Sequence, residues 1–307
     1  MPEDTDCLTT IRDLVRWGAS RFAAAELHFG HGTDNALDES LQLVLHALRL
    51  DYDLPAQFLD AHVTAGERRD VMAVLNRRID ERLPAAYLTG RARFAGNWYR
   101  VNAHVLVPRS PIAELIERRF APWVEPDAVA HILDLCTGSG CIAVACAHAF
   151  PDATVDAVEL SPPAVAVART NVAEHGVGDR VRILEGDLYG PLDATRYDLI
   201  VSNPPYVSVE EMGEMPAEYR HEPALGLEAG ADGLDVVRRI LAGARRRLAA
   251  NGILVVEVGG SAGHLVEAFP ELPFLWLDLE RGGDGVFLLD AEQLDALAYP
   301  PEEELQQ

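Results

Sequence analysis

The sequence predicts an α/β protein: a doubly wound sheet preceded by a helical segment and a β-hairpin. Three observations predict it. From His131 onward, short apolar runs alternate with stretches of helical period, the rhythm of parallel strands joined by helices. Through the first ~90 residues only the helical period recurs. Between the two, apolar residues fall at every second position around a turn-forming Gly-Asn pair.

Taken in order, Leu8, Ile11, Leu14, Val15, Gly18 and Phe22 recur at helical spacing, as do Leu41, Val44, Leu45 and Leu48. Thr64-Ala65-Gly66-Glu67 is a capping box opening the stretch that carries Val71, Val74, Leu75 and Ile79. The histidines here (His28, His31, His46, His62) read as surface or core residues, not ligands. Residues 1–90 are therefore a small helical domain. Residues 91–110 form a hairpin linker: Phe94 and Trp98 flank Gly96-Asn97, and Tyr99, Val101, Val105 and Val107 continue the alternation. Pro108 ends that strand, and Pro111 starts a helix at Ile112–Phe120. Residues 111–298 make the α/β domain. Its seven strands are Ile132–Leu135, Thr154–Glu159, Val181–Leu184, Leu199–Ser202, Ile253–Val258, Leu275–Leu279 and Gly285–Leu289. Its helices are Cys141–Phe150, Pro162–His175 and Leu234–Ala249. The end of the chain, 299–307, has one apolar residue, Leu305, and is expected to be disordered.

Composition narrows the function. A length of 307 residues suits about two domains, and 49% hydrophobic with 24% charged residues excludes wholesale disorder. No run approaches a membrane span, and the acidic start MPEDTDC is not a secretory signal. Four cysteines without a CxxC pair point to a reducing cytoplasm and give no structural zinc. There is no lysine: all 26 cations are Arg. That excludes a P-loop and Schiff-base or pyridoxal chemistry, which need the amine. Charge is uneven. Residues 1–100 hold 12 Arg and 15 acids, residues 101–307 hold 14 Arg and 34 acids. So acidic a second part repels nucleic acid phosphates and suits a basic partner.

Ile132-Leu-Asp-Leu-Cys-Thr-Gly-Ser-Gly-Cys141 follows the first strand and opens the first helix. Gly138 and Gly140 let the backbone turn and approach a ligand closely. Glu159 ends the next strand, 21 residues after Gly138, where it can hold ribose hydroxyls. Ala143 and Val144 stand where a dinucleotide fingerprint has its third glycine, so a single nucleoside without phosphate fits better than a pyrophosphate. Asp134 would point into the same crevice, and Asp187 can take an adenine amine. Cys136, Thr137, Ser139, Leu188 and Asn203 complete the expected cofactor set. This pattern resembles the class I S-adenosylmethionine-dependent methyltransferases with their Rossmann-like seven-stranded sheet. The resemblance implies S-adenosylmethionine as cofactor, S-adenosylhomocysteine as product, and no metal.

Asn203-Pro204-Pro205-Tyr206 follows the fourth strand. Two prolines remove two donors, and the loop carbonyls with the Asn203 side chain offer acceptors to one planar –NH2 group, with Tyr206 as an aromatic wall. Fixing both N–H bonds orients a delocalised lone pair for in-line displacement. The motif resembles that of methyltransferases acting on glutamine amides or on adenine amines in nucleic acids. The acidic, lysine-free second part disfavours nucleic acid.

Further motifs then follow in order: Leu83-Pro-Ala-Ala-Tyr-Leu-Thr-Gly90, Val107-Pro-Arg109, and His221-Glu-Pro-Ala-Leu225 through Gly233-Leu234. The whole arrangement resembles the bacterial protein-(glutamine-N(5)) methyltransferases. One branch of that family modifies peptide chain release factors, the other large-subunit ribosomal protein L-three. Ser110-Pro-Ile-Ala-Glu114, Cys136 in the glycine loop and Gly282-Gly-Asp-Gly-Val-Phe287 favour the ribosomal branch. The resemblance implies that Asn203 and the Pro204 carbonyl hold the glutamine amide, with Pro205 and Tyr206 beside it. It also implies that Arg109 and Glu222 orient the substrate, residues 1–90 recognise the protein, and 111–298 are catalytic. Release factors as substrate, an adenine amino methyltransferase and a non-catalytic nucleotide-binding module are the alternatives. Neither DNA nor membrane is an expected partner.

Overall fold

A computed structural model describes residues 5–296; the expected disorder of 299–307 lies outside them. The chain forms two compact units. One runs to Ala92 and takes in Pro216–His221; the other runs from Arg93 to Met215 and from Glu222 onward.

In the first unit, helices α1 (Ile11–Ala24), α2 (Ala36–Leu48), α3 (Ala65–Glu81) and α4 (Ala85–Thr89) pack around Leu14, Phe22, Leu43, Val71 and Leu75. Thr10 with Asp13 and Thr64 with Glu67 form reciprocal capping boxes, and Asn35 caps α2. Gly18 lets α1 approach α2: a Cβ there would come within 2.3 Å of the Ser40 hydroxyl oxygen. Arg78 is fully buried against Glu39 at 2.7 Å. The segment Pro216–His221 folds into this unit. Its buried Glu218 accepts from Arg82 at 3.0 Å and from the His28 N–H at 3.1 Å. Tyr219 packs on His31 and His28, ring centroids 4.4 and 5.5 Å apart.

Strands β1 (Arg91–Phe94) and β2 (Asn97–Arg100) make the hairpin. Its turn is Ala95-Gly96, both at positive φ (44° and 79°), the twist that a two-residue hairpin needs. Pairing stops at Arg100, although the sequence carried the alternation to Val107. The Asn102 side chain accepts the His104 N–H and its carbonyl the Val105 N–H, so the chain turns. Val101, Val105 and Val107 are buried beyond the end of β2: period-2 burial is not proof of a strand. Helix α5 (Ile112–Glu117) also ends earlier than expected, since Arg119 and Phe120 take positive φ.

The second unit continues β3 (His131–Leu135), α6 (Cys141–Ala149), β4 (Thr154–Glu159), α7 (Pro162–Glu174), β5 (Val181–Glu185), β6 (Tyr197–Ser202), α8 (Val209–Glu214), α9 (Asp235–Arg247), β7 (Leu248–Glu257), α10 (Ala262–Ala268), β8 (Leu275–Trp276) and β9 (Val286–Asp290). The sheet order is β5-β4-β3-β6-β7-β9-β8, parallel from β5 to β7, with β9 antiparallel to both neighbours. Seven mixed strands, helices on both faces and the preceding helices and hairpin agree with the expected class I methyltransferase fold. Parallel strands buried on both faces read as continuous apolar runs, which is why all five were legible. Strands β6 and β7 begin earlier than expected, at Tyr197 and Leu248, and the edge strand β8 stops at Trp276 instead of Leu279. One apolar layer holds Ile132, Val155, Leu199 and Val255; the other holds Leu133, Ile200, Leu254 and Val258. Strand order reverses between β3 and β6, and the crevice beyond their C-terminal ends is where such sheets bind ligands. No helix among the described residues is long and apolar enough to cross a membrane.

Candidate active site

The glycine loop joins β3 to α6. Cys136, Gly138 and Gly140 all take positive φ (58°, 56° and 78°), and the Thr137 N–H bonds the Val158 carbonyl at 3.0 Å. The two glycines do different work. A Cβ on Gly140 would press on Ala168 of α7 at 3.2 Å, whereas one on Gly138 would meet no protein atom within 4 Å. The bare side of Gly138 is open crevice. Asn171 of α7 donates to the Ser139 carbonyl at 2.8 Å and accepts from the Arg100 N–H at 2.7 Å, fixing the loop against the end of the hairpin.

Asp134 departs from expectation. It is fully buried and not a wall of the crevice. Its Oδ2 accepts from the Thr137 hydroxyl at 2.5 Å and the Ala143 N–H at 3.0 Å, so it braces the loop and the first turn of α6 from beneath. Burial pushes its pKa up to about 7 against those two bonds. Glu159, at the end of β4, does line the crevice. One oxygen accepts the Gly138 N–H and the other the Ser161 N–H, both at 2.8 Å. Each oxygen keeps a second lone pair for a ribose hydroxyl. Asp187 and Leu188 lie at the far wall. Asp187 accepts from Arg239 of α9 at 2.7 Å, a partner that sequence reading missed. Cys136 lines the crevice, and burial raises its thiol far above the usual range.

Ser202 closes β6 by donating to the Leu135 carbonyl at 2.8 Å, tying the ends of the two central strands together. Asn203 and Pro205 then line the crevice; Pro204 and Tyr206 are not among its walls. Tyr206 instead donates its hydroxyl to Glu257 at 3.0 Å. Opposite in sequence but adjacent in space, Arg109 grips Glu222 through two bonds of 2.6 and 2.8 Å. Glu222 also accepts the Val107 N–H at 2.9 Å. The pair fastens the Val107–Arg109 segment to the loop carrying Pro223, Leu225 and Glu228, which form the outer wall. Sequence reading missed Arg239, Ser110 and Glu257. For Glu257 a signal existed, an acid ending a central strand of a doubly wound sheet. Among the described residues, no group of three or more His, Cys, Asp or Glu could hold a metal ion.

The crevice fits a nucleoside bearing a cationic chain: a cradle that a Cβ on Gly138 would fill, the Glu159 carboxylate with spare lone pairs, and the further acids Asp187 and Glu228 on its lining. Residues 120–218 match the Methyltransferase small domain family. Among similar proteins is the "Ribosomal protein uL3 glutamine methyltransferase" of Bordetella pertussis, 52% identical over 289 residues, covering 94% of this chain and 97% of that protein. Proteins of the same description from Burkholderia pseudomallei (50% over 297 residues; 94% and 97%) and Neisseria gonorrhoeae (50% over 289 residues; 94% and 96%) align equally fully. With half its residues shared over almost its whole length, the chain belongs to the ribosomal protein uL3 glutamine methyltransferase family.

Proposed function

We propose that this protein methylates the side-chain amide nitrogen of a glutamine in ribosomal protein uL3, using S-adenosylmethionine. The observation that carries the reading is the loop after β6, whose Asn203 and Pro205 line the crevice of the glycine loop at the switch point, in a chain half identical to uL3 glutamine methyltransferases. S-adenosylmethionine supplies an electrophilic methyl group on a sulfonium. Cys136, Thr137, Gly138, Ser139 and Gly140 would cradle it, with Glu159 on the ribose and Asp187 and Leu188 at the base. Asp134 supports that loop from below.

The amide oxygen of Asn203 and the Pro204 carbonyl accept the two N–H bonds of the target amide, which aims the nitrogen lone pair at the methyl group. Pro205 and Tyr206 keep that loop rigid. Arg109 and Glu222 hold the outer wall against which the substrate loop lies. The helical unit selects the protein substrate. None of these steps uses a metal, and the reaction belongs to the cytoplasm, where ribosomal proteins are made. Mass spectrometry of uL3 and of the release factors from a deletion strain tests the reading. Loss of one methyl from a uL3 glutamine, with release factors unchanged, is expected. Unmodified release factors with uL3 still methylated would overturn the substrate.

A further inference from the structure

Glu257 ends β7 with only 6% of its surface exposed. Each oxygen of its carboxylate accepts a hydroxyl from a different segment: Oε1 from Tyr206 at 3.0 Å and Oε2 from Ser110 at 2.5 Å. The Ser110 oxygen accepts the Ile112 N–H at 3.2 Å, so its single hydrogen is committed to Glu257. Burying a carboxylate is costly, and burial raises the Glu257 pKa against the two hydroxyls and the Arg109 charge. An apolar side chain would fill this space without that cost.

The two hydroxyls come from two separate segments that each border the crevice. Ser110 follows Arg109, and both line it. Tyr206 follows Pro205, which lines it too. Tyr206 is also held elsewhere. Its carbonyl accepts the Ser261 hydroxyl at 2.7 Å. Its ring lies so close to Gly259 that a Cβ there would reach 2.7 Å from the ring carbon Cε2. The hydroxyl bond to Glu257 fixes the ring tip.

We propose that Glu257 is a positioning residue for the methyl transfer. By accepting the Tyr206 and Ser110 hydroxyls on one carboxylate, it clamps the Asn203–Tyr206 loop and the Val107–Ser110 segment in fixed register. The inference rests on the reading of Asn203–Tyr206 as the loop that holds the target amide. An amide nitrogen attacks only when its lone pair is aimed, and a displacement of about 1 Å costs on the order of 10²-fold in rate. Glu257 bonds Tyr206 and Ser110, whereas the glycine loop is held by Glu159 and Asn171. The expected loss therefore falls on turnover rather than on cofactor affinity.

The test uses the full chain with uL3 and S-adenosylmethionine and compares wild type, Glu257→Ala, Glu257→Gln, Tyr206→Phe and the double variants. Glu257→Ala should lower kcat by on the order of 10²-fold with cofactor affinity by calorimetry unchanged. Glu257→Gln, which keeps one acceptor oxygen, should fall between. Because the Tyr206 hydroxyl acts through Glu257, adding Tyr206→Phe to Glu257→Ala should cost nothing more. Wild-type kcat in Glu257→Ala, or losses that multiply in the double variant, would overturn the proposal. If Glu257→Ala no longer binds cofactor, the same cycle on Glu257→Gln decides by the same two outcomes. Absence of wild-type turnover on uL3 overturns the functional reading itself; wild-type turnover with multiplying losses overturns only the role of Glu257.

Discussion

Two glycines of one loop, Gly138 and Gly140, differ in what surrounds them. Gly138→Val would place a branched side chain in open crevice at φ +56°, while Gly140→Ala would push a methyl to 3.2 Å from Ala168. The first should abolish S-adenosylmethionine binding and the second should mainly lower stability, with about 1–2 kcal/mol from the left-handed backbone alone in each. Calorimetry with a thermal melt on both variants checks the split; normal binding by Gly138→Val would remove the glycine loop from the cofactor site. Asn203 allows a finer test. Removing one preorganised contact costs ~10²–10³ in rate, so Asn203→Ala should lose that much in kcat with little change in cofactor affinity. Asn203→Asp keeps an acceptor in place and should retain more activity than alanine. Equal loss in the two variants would mean that the Asn203 oxygen does not hold the amide.

Elements were legible where one physical cause dominated. The parallel strands announced themselves because both faces are buried, and β4 has the bounds that its apolar run and terminal acid imply. Glu159 and Gly138 were legible for the same reason, since strand ends and glycine turns are local. The stretch after Arg100 was not, because a turn at Asn102 overrode the alternation. Nor was the helical unit's claim on Pro216–His221, which depends on arginines 136 residues upstream and further. The Arg239–Asp187 and Glu257–Ser110 pairs were hidden likewise, at separations of 52 and 147 residues. That inserted segment invites its own prediction. Glu218 has a fully buried side chain, within 3.5 Å of the equally buried Arg78 and 3.0 Å of Arg82. Breaking a buried ion pair from one side costs about 3–5 kcal/mol, because the remaining charge loses its compensation. Glu218→Ala should therefore destabilise the helical unit by that order, read as faster amide exchange in α3, while the parallel sheet stays protected. Unchanged exchange in α3 would show that Glu39 alone suffices for Arg78.

At the scale of the whole molecule, charge is the property that sequence alone delivered and that no single contact explains. The chain carries a formal charge of −23, and 34 of its 49 acids lie beyond residue 100, against 14 arginines. Many of those arginines are spent on neighbours, as in Arg182 with Asp156, Arg238 with Asp232 and Arg245 with Asp295, which leaves the excess acid as net field. Ribosomal proteins are basic because they live against RNA, so such a field should draw the substrate in and raise the rate of encounter. Exposed charges are screened beyond a Debye length, about 8 Å at 0.15 M ionic strength and about 3 Å at 1 M. Raising salt should therefore lower kcat/KM for intact uL3 steeply, through KM, with kcat nearly constant. A short neutral peptide carrying the target glutamine should show little salt dependence, since its encounter is not steered. Steady-state kinetics on both substrates across ionic strength separates the outcomes. A salt-independent KM for uL3 would mean that the acid excess serves solubility, and that recognition rests on shape and on the short-range contacts of the crevice walls.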